Sequence, residues 1–220
     1  MEKTFSIKEA LSFGWNVFKQ SPIRWIAIFV GAPFLVAIPS ELLSFGIGAA
    51  NAEEMIAVSF ALSLLTGLAG VIIQIGIIKI ALAAVDGKEW SWRDLYQNYS
   101  FFVSFIVASI LYFLAIVAGL VLLIIPGIIA AIAFGFFQYV VVDKGVGPIE
   151  SLKQSRTITR GARMKILLFA LTSFGVTVLG FLFFIVGLLV AIPVTTLAGA
   201  WVYRQLERQT NAQVVSSPVV

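Results

Sequence analysis

Apolar residues run along this chain in blocks longer than a soluble helix needs, and charge interrupts the blocks at regular intervals. Three stretches carry no Lys or Arg: 25–78, 96–143 and 166–203. A bilayer core of about 30 Å takes about 20 helical residues to cross. The apolar run 101–142 has 42 residues, about 63 Å of helix at 1.5 Å per residue. The stretch 166–203 has 38, about 57 Å by the same rise. Each is therefore two crossings. The first stretch splits at 40–54, where Glu41, Asn51, Glu53 and Glu54 mark a polar loop. The pattern predicts an all-α, polytopic integral membrane protein with six transmembrane helices. They form three helical hairpins, at about 25–85, 101–142 and 166–206, in a single membrane domain spanning 1–220. Residues 207–220 read as a polar, flexible C-terminal tail.

Charge then orients the hairpins. All fifteen Lys and Arg fall on the side to which every hairpin returns; the other side holds Glu41, Glu53 and Glu54. Cytoplasmic loops are the ones rich in Lys and Arg, so both termini are expected in the cytoplasm and the protein in the plasma membrane. Residues 1–20 lack the continuous apolar core of a cleavable signal peptide.

Two turns have competing positions, Gly119 against Pro126-Gly127 and Gly187 against Pro193. Equal division of length favours the glycines, with the prolines early in the returning helices. Pro39, Pro126, Gly127 and Pro193 are read as structural kinks, since proline removes a backbone donor. The phrases Gly31 to Pro39, Gly119 to Pro126 and Gly187 to Pro193 resemble one another and suggest a threefold internal repeat.

Between the hairpins lie short cytoplasmic segments with amphipathic spacing. Ser6 and Glu9 have the spacing of a capping box. In the helix that follows, Ile7, Leu11, Trp15 and Phe18 share one face opposite Lys8, Glu9, Ser12, Asn16 and Lys19. A second helix is expected after Ser91, with Trp92, Leu95, Tyr96 and Tyr99 as its aromatic face. Such helices lie in the membrane interface. The third runs from Pro148 to Arg160 or slightly beyond. At 100° per residue, Lys153, Arg156, Arg160 and Arg163 form one stripe, and Ser151, Ser155, Ile158 and Ala162 face the other way. The stripe is a candidate anionic-lipid site and, equally, a charge signal that sets topology.

Composition narrows the function. The chain is 60% hydrophobic and 12% charged, against about 45–50% and about 25% in soluble domains. It has no Cys and no His, which excludes thiolate or imidazole metal sites and Cys–His or Ser–His nucleophiles. No catalytic, cofactor or metal site is expected, and the protein is read as non-enzymatic. A net charge of +4 beside apolar spans points to lipid headgroups rather than nucleic acid. Within the spans, Gln74 and Gln138 are expected to bond to neighbouring helices, Lys79 to snorkel, and Gly67, Gly70 and Gly76 to allow close packing.

The segment 123–161 reads LIIPGIIAAIAFGFFQYVVVDKGVGPIESLKQSRTITRG. It resembles a bacterial multi-span membrane family, mostly uncharacterised, related to the membrane domain that precedes some glycerophosphoryl diester phosphodiesterases. The matching positions are Pro126, Gly127, Asp143, Gly145, Pro148, Ser151, Leu152, Ser155, Thr159 and Gly161. The resemblance implies a membrane domain and carries no phosphodiesterase activity. The expected function is a scaffold or a lipid- or partner-binding module, with membrane lipids, anionic ones included, and a membrane or cytoplasmic protein as partners. The alternative is a transporter or channel for a small or lipidic solute.

Overall fold

The computed structural model describes residues 3–38, 52–183 and 186–216; among these it is helical, with no strand. The helices are α1 Ile7–Gln20, α2 Pro22–Ile38, α3 Ala52–Val85, α4 Phe102–Leu122, α5 Ile124–Phe134, α6 Phe137–Lys144, α7 Pro148–Thr159, α8 Arg163–Leu182 and α9 Val186–Ser216. Five segments, within α3, before and through α4, across α5 and α6, in α8 and in α9, are long and apolar enough to cross a membrane; a sixth results if the bent pair α1–α2 counts as one span. That makes the chain consistent with a membrane protein.

The N-terminal elements are built by small residues and one tryptophan. Ser6 Oγ accepts from the Glu9 N–H at 3.3 Å, so the expected cap forms in part. Buried along α1 are Ala10, Gly14 and Phe18; a Cβ at Gly14 would land on the Val194 carbonyl oxygen. α1 thus lies against the backbone of α9. Trp15 is turned out, stacked on Phe18 at 5.9 Å with Lys19 over its ring. Of the expected face, Phe18 is buried and Ile7 and Leu11 pack against the core, while Trp15 is turned out; Ala10 and Gly14 add the close approach. α2 leaves α1 at 109°, and Trp25 Nε1 donates to the Val17 carbonyl across the bend at 3.0 Å.

The aromatic helix expected after Ser91 does not form. Its place is taken by two single 3-10 turns, Trp92–Leu95 and Tyr99–Phe101. Ser91 and Asp94 close a capping box, and Asn98 Nδ2 donates to the Asp94 carbonyl at 2.7 Å. Side chains that hydrogen-bond the local backbone in this way compete with the helix. Leu95 is buried against Gly76 of α3, where a Cβ would collide with the Leu95 backbone. Gly76 therefore serves close packing as expected, while Gly67 and Gly70 have nothing within 4 Å.

The molecule has a packed base and distal helix pairs. The base is α1, α6, α7 and the ends of α3, α4, α8 and α9 nearest them; Ile75, Phe105, Phe137, Val141, Leu197 and Tyr203 are fully buried there. Beyond it, α4 and α5 touch in reverse order: the Tyr112 hydroxyl donates to the Ala131 carbonyl at 3.3 Å, and a Cβ on Gly119 would lie 2.8 Å from Gly127 Cα. α8 and α9 meet likewise at Gly180 and Gly187, where a Cβ on Gly180 would lie 2.9 Å from the Gly187 carbonyl carbon. On distal α3, only Ser59, Leu62, Thr66 and Ala69, one turn apart, are partly covered between residues 56 and 69.

Three expectations are relocated. The break between α4 and α5 is at Leu123, in extended conformation, and α9 starts at Val186 beside Gly187. Pro126 and Gly127 sit in the first turn of α5, where the missing N–H is one of the orphan donors and costs no hydrogen bond. Neither interrupts a helix. Pro193 lies inside α9; Pro39 is outside the described residues. Gly119 ends an outgoing helix whereas Gly187 begins a returning one, so those two phrases occupy different parts of their helix pairs. The expected tail is helical to Ser216, with Glu207 buried and Gln209 joined to Thr4 on both sides: Oε1 accepts from the Thr4 N–H at 2.9 Å, and Nε2 donates to its carbonyl at 2.6 Å.

Candidate functional site

The segment Ala133–Arg163 brings most of the motif residues together. α5 stops at Phe134 and α6 starts at Phe137, which frees the Ala133 carbonyl and the Phe136 N–H from the helical ladder. α7 folds back over this break. Ser155 Oγ accepts from the Phe136 N–H at 3.1 Å and donates to the Ala133 carbonyl at 3.1 Å; Thr159 Oγ1 donates to the same carbonyl at 3.1 Å. Ser151, Ser155 and Thr159, spaced four apart, lie on one face of α7 and are fully buried. Buried backbone groups need such partners.

The other motif positions also have backbone duties. Gly145 ends α6 at φ +64°, and Gly161 turns the chain into α8 at φ +88°. Both angles favour glycine. Pro148 opens α7 at its first turn, where proline fits. The motif therefore describes how a kinked helix is sealed; it assembles no reactive pair.

α7 presents the predicted faces: Ser151, Ser155, Ile158 and Ala162 are buried, and Lys153, Arg156 and Arg160 are exposed. The stripe is not one helical arc, however. α7 ends at Thr159, Arg160 is extended, and Arg163 begins α8, half-buried. Gly161 breaks the helix that the spacing assumed. Lys3 Nζ donates to the last carbonyls of α7, Thr157 at 2.7 Å and Ile158 at 3.2 Å, where a helix C-terminus favours a cation. Burial pushes the Lys3 ammonium down from the ordinary lysine value.

A second constellation was invisible in the sequence. Arg204 of α9 donates to Asp86, just past α3, through Nε at 3.0 Å and Nη2 at 2.8 Å. It also donates to both oxygens of Asp143 in α6 at 2.6 Å, and to Glu207 at 2.7 Å. The Tyr203 hydroxyl donates to Asp143 at 2.9 Å, and Lys144 pairs with Glu207 at 3.0 Å. One planar fork thus ties the ends of α3 and α6 to the middle of α9, a geometry that arginine supports and lysine does not. Beside it is a cavity of about 160 Å³ bordered by Lys79, Lys88, Asp86, Asp143 and Arg204. Lys79 therefore faces this cluster, with Phe101 beneath its ammonium at 6.0 Å. Gln74 Nε2 donates to Gln138 Oε1 at 3.3 Å, joining α3 to α6 as expected. Among the described residues, no three of His, Cys, Asp and Glu gather as a metal would require.

Two curated relatives match nearly the whole chain. They are the uncharacterized protein Mb2590 of Mycobacterium bovis and the uncharacterized protein MT2637 of Mycobacterium tuberculosis. Each is 24% identical over 237 aligned positions, covering 97% of this chain and 71% of the relative. No solved structure matches. The model of one family, described as a domain of unknown function (DUF7847), matches residues 96–220. That stretch holds the sealed kink, both glycine-crossed helix pairs, and Arg204 with two of its three carboxylate partners, and by it the chain belongs to this family.

Proposed function

We propose that this protein is a non-enzymatic integral membrane module: six spans in three hairpins, both termini cytoplasmic, holding anionic lipid or a protein partner through its basic side. The observation that carries this reading is a segregation. Lys and Arg gather at the base, while distal α3, α4 and α8 expose Phe60, Leu65, Phe113, Val121, Phe174 and Phe181. Trp92, Tyr96 and Tyr99 are exposed near the base, as interfacial aromatics would be. With its polar face spent on the kink, α7 has Lys153, Arg156 and Arg160 free to meet headgroups. The motif residues also suit a kinship with the membrane domain that precedes some phosphodiesterases.

Single cysteines in this Cys-free chain test the topology. An impermeant thiol reagent applied to intact cells should label Ala52→Cys and spare Trp90→Cys, Glu150→Cys and Ala212→Cys. Labelling of Glu150→Cys would contradict the proposal.

A further inference from the structure

We infer that the recess between the α1–α2 bend and the chain just past α3 binds the headgroup of an amine-bearing phospholipid, its phosphate on Arg24 and Lys88 and its ammonium on Glu89. The inference rests on the membrane reading above and adds to its basic face a second site with a different preference. The recess has a volume of about 420 Å³, within the about 300–1,000 Å³ of small-ligand pockets. Ser21, Arg24 and Trp25 form one wall, and Gly87, Lys88, Glu89 and Trp90 the other.

Both walls are fixed by backbone. At φ +66° Gly87 closes the end of α3: its N–H donates to the Ala84 carbonyl at 3.3 Å, and the Lys88 N–H donates to the Ala83 carbonyl at 2.9 Å. These are the paired bonds of a Schellman motif. Opposite, the Ser21 N–H donates to the Phe18 carbonyl at 3.2 Å where α1 ends. Trp25, buried and tied to Val17, lies 5.2 Å from Trp90, and both line the recess. The wall is more polar than apolar. Among the described residues the Arg24 guanidinium and the Glu89 carboxylate enter no hydrogen bond or ion pair. Lys88 keeps only a loose one, 3.8 Å from Asp86.

Charges of both signs beside two indoles select the ligand. A phosphate suits Arg24 and Lys88, but a simple anion would also meet the like charge of Glu89. An amine suits Glu89 and the face of an indole, but a simple cation would meet Arg24 and Lys88. A phosphate joined to an amine by a short linker satisfies all three. A primary ammonium brings the N–H donors that Glu89 accepts, and a quaternary one has none. The surroundings favour a lipid as the bearer. Ile23, next to Arg24, and Trp92, edge-on to Trp90 at 6.2 Å, are exposed, and indoles settle at the level of headgroups.

The test uses the full-length protein, purified and delipidated, titrated with phosphatidylethanolamine, phosphatidylglycerol or phosphatidylcholine and read by native mass spectrometry. The wild type should hold one phosphatidylethanolamine in preference to the other two. Arg24 and Glu89 are exposed, so their variants leave the core intact. Glu89→Gln should erase the preference over phosphatidylglycerol, a change of about fivefold for an exposed ion pair of about 1 kcal/mol, and Glu89→Lys should reverse it. Arg24→Gln should weaken phosphatidylethanolamine by a similar factor. A water-soluble carbodiimide should join the lipid amine to the Glu89 carboxylate as an amide. A preference that survives both Glu89 variants unchanged would overturn the site, and free phosphoethanolamine binding as tightly as the lipid would overturn the lipid as bearer. If the wild type shows no such preference while the combined Lys153→Gln, Arg156→Gln, Arg160→Gln variant loses phosphatidylglycerol, the recess is wrong and the broader basic face stands. Equal binding of all three lipids by every variant would overturn both.

Discussion

In α3, Ile75 and Ile80 are fully buried, whereas Phe60, Leu64 and Leu65 are more than half exposed, although about three turns of the same helix separate the two groups. The residue types match; the surroundings do not. The base is held by specific contacts: Gly14 on Val194, Gly76 on Leu95, Ser155 in the α5–α6 break, Arg204 on three carboxylates. Distal α3 is covered along one stripe, α4 and α8 meet a neighbour at glycine contacts, and each presents apolar side chains elsewhere. Lipid is as apolar as leucine, so nothing drives those surfaces together in a bilayer, and only small-residue contacts bring helices close. Gly119 with Gly127 and Gly180 with Gly187 are such contacts. The base folds against itself; the distal pairs leave apolar surface that a bilayer would cover.

The sharpest way to break the comparison is to remove a polar anchor of the base. Arg204→Ala removes the group that Asp86, Asp143 and Glu207 share, leaving Tyr203 on Asp143 and Lys144 on Glu207, and losing one partner of a buried ion pair costs up to about 3–5 kcal/mol. Thermal unfolding in detergent should show the largest loss here, and Arg204→Lys should restore only part of it, since one ammonium cannot engage two carboxylates in paired contacts. Ser155→Val comes next. It leaves the Phe136 N–H without a partner and the Ala133 carbonyl on Thr159 alone, at about 1–3 kcal/mol per unsatisfied group. Thermal melting in detergent, compared with Ser100→Val on the exposed surface, checks this. The last test contrasts two glycines of one helix and ends on the smallest effect. Gly76→Leu must displace the Leu95 backbone and should cost at least about 1–3 kcal/mol, while Gly67→Leu meets open space and should change the melting midpoint little.

The two regions were also unequally legible. Long apolar runs announce helices apolar enough to cross a membrane without tertiary information, so the distal parts of α3, α4 and α8 could be read from periods and lengths. The α7 faces could be read too, because Ser and basic residues alternate there at helical spacing. The base could not. Arg204 meets residues 118 and 61 positions away, and no local pattern links them. Ala10 and Gly14 decide where α1 packs through the bulk they lack, so Trp15 outweighed them in any count of hydrophobic residues. The kink at Gly135 is held by a helix that starts thirteen positions later, and Ser155, although one of the motif positions, gave no sign of the backbone groups it seals.

The central claim is that lipid covers the distal helices on all but one stripe. Spin labels placed singly at Leu65, Leu114 and Phe174, with the full-length protein in a bilayer, measure this through collisions with oxygen and with a water-soluble nickel chelate. The account predicts high accessibility to oxygen and low accessibility to the chelate at all three, and low accessibility to both at Val141 in the base. Low accessibility to both reagents at Leu65, Leu114 and Phe174 would mean that protein covers them, and would contradict it.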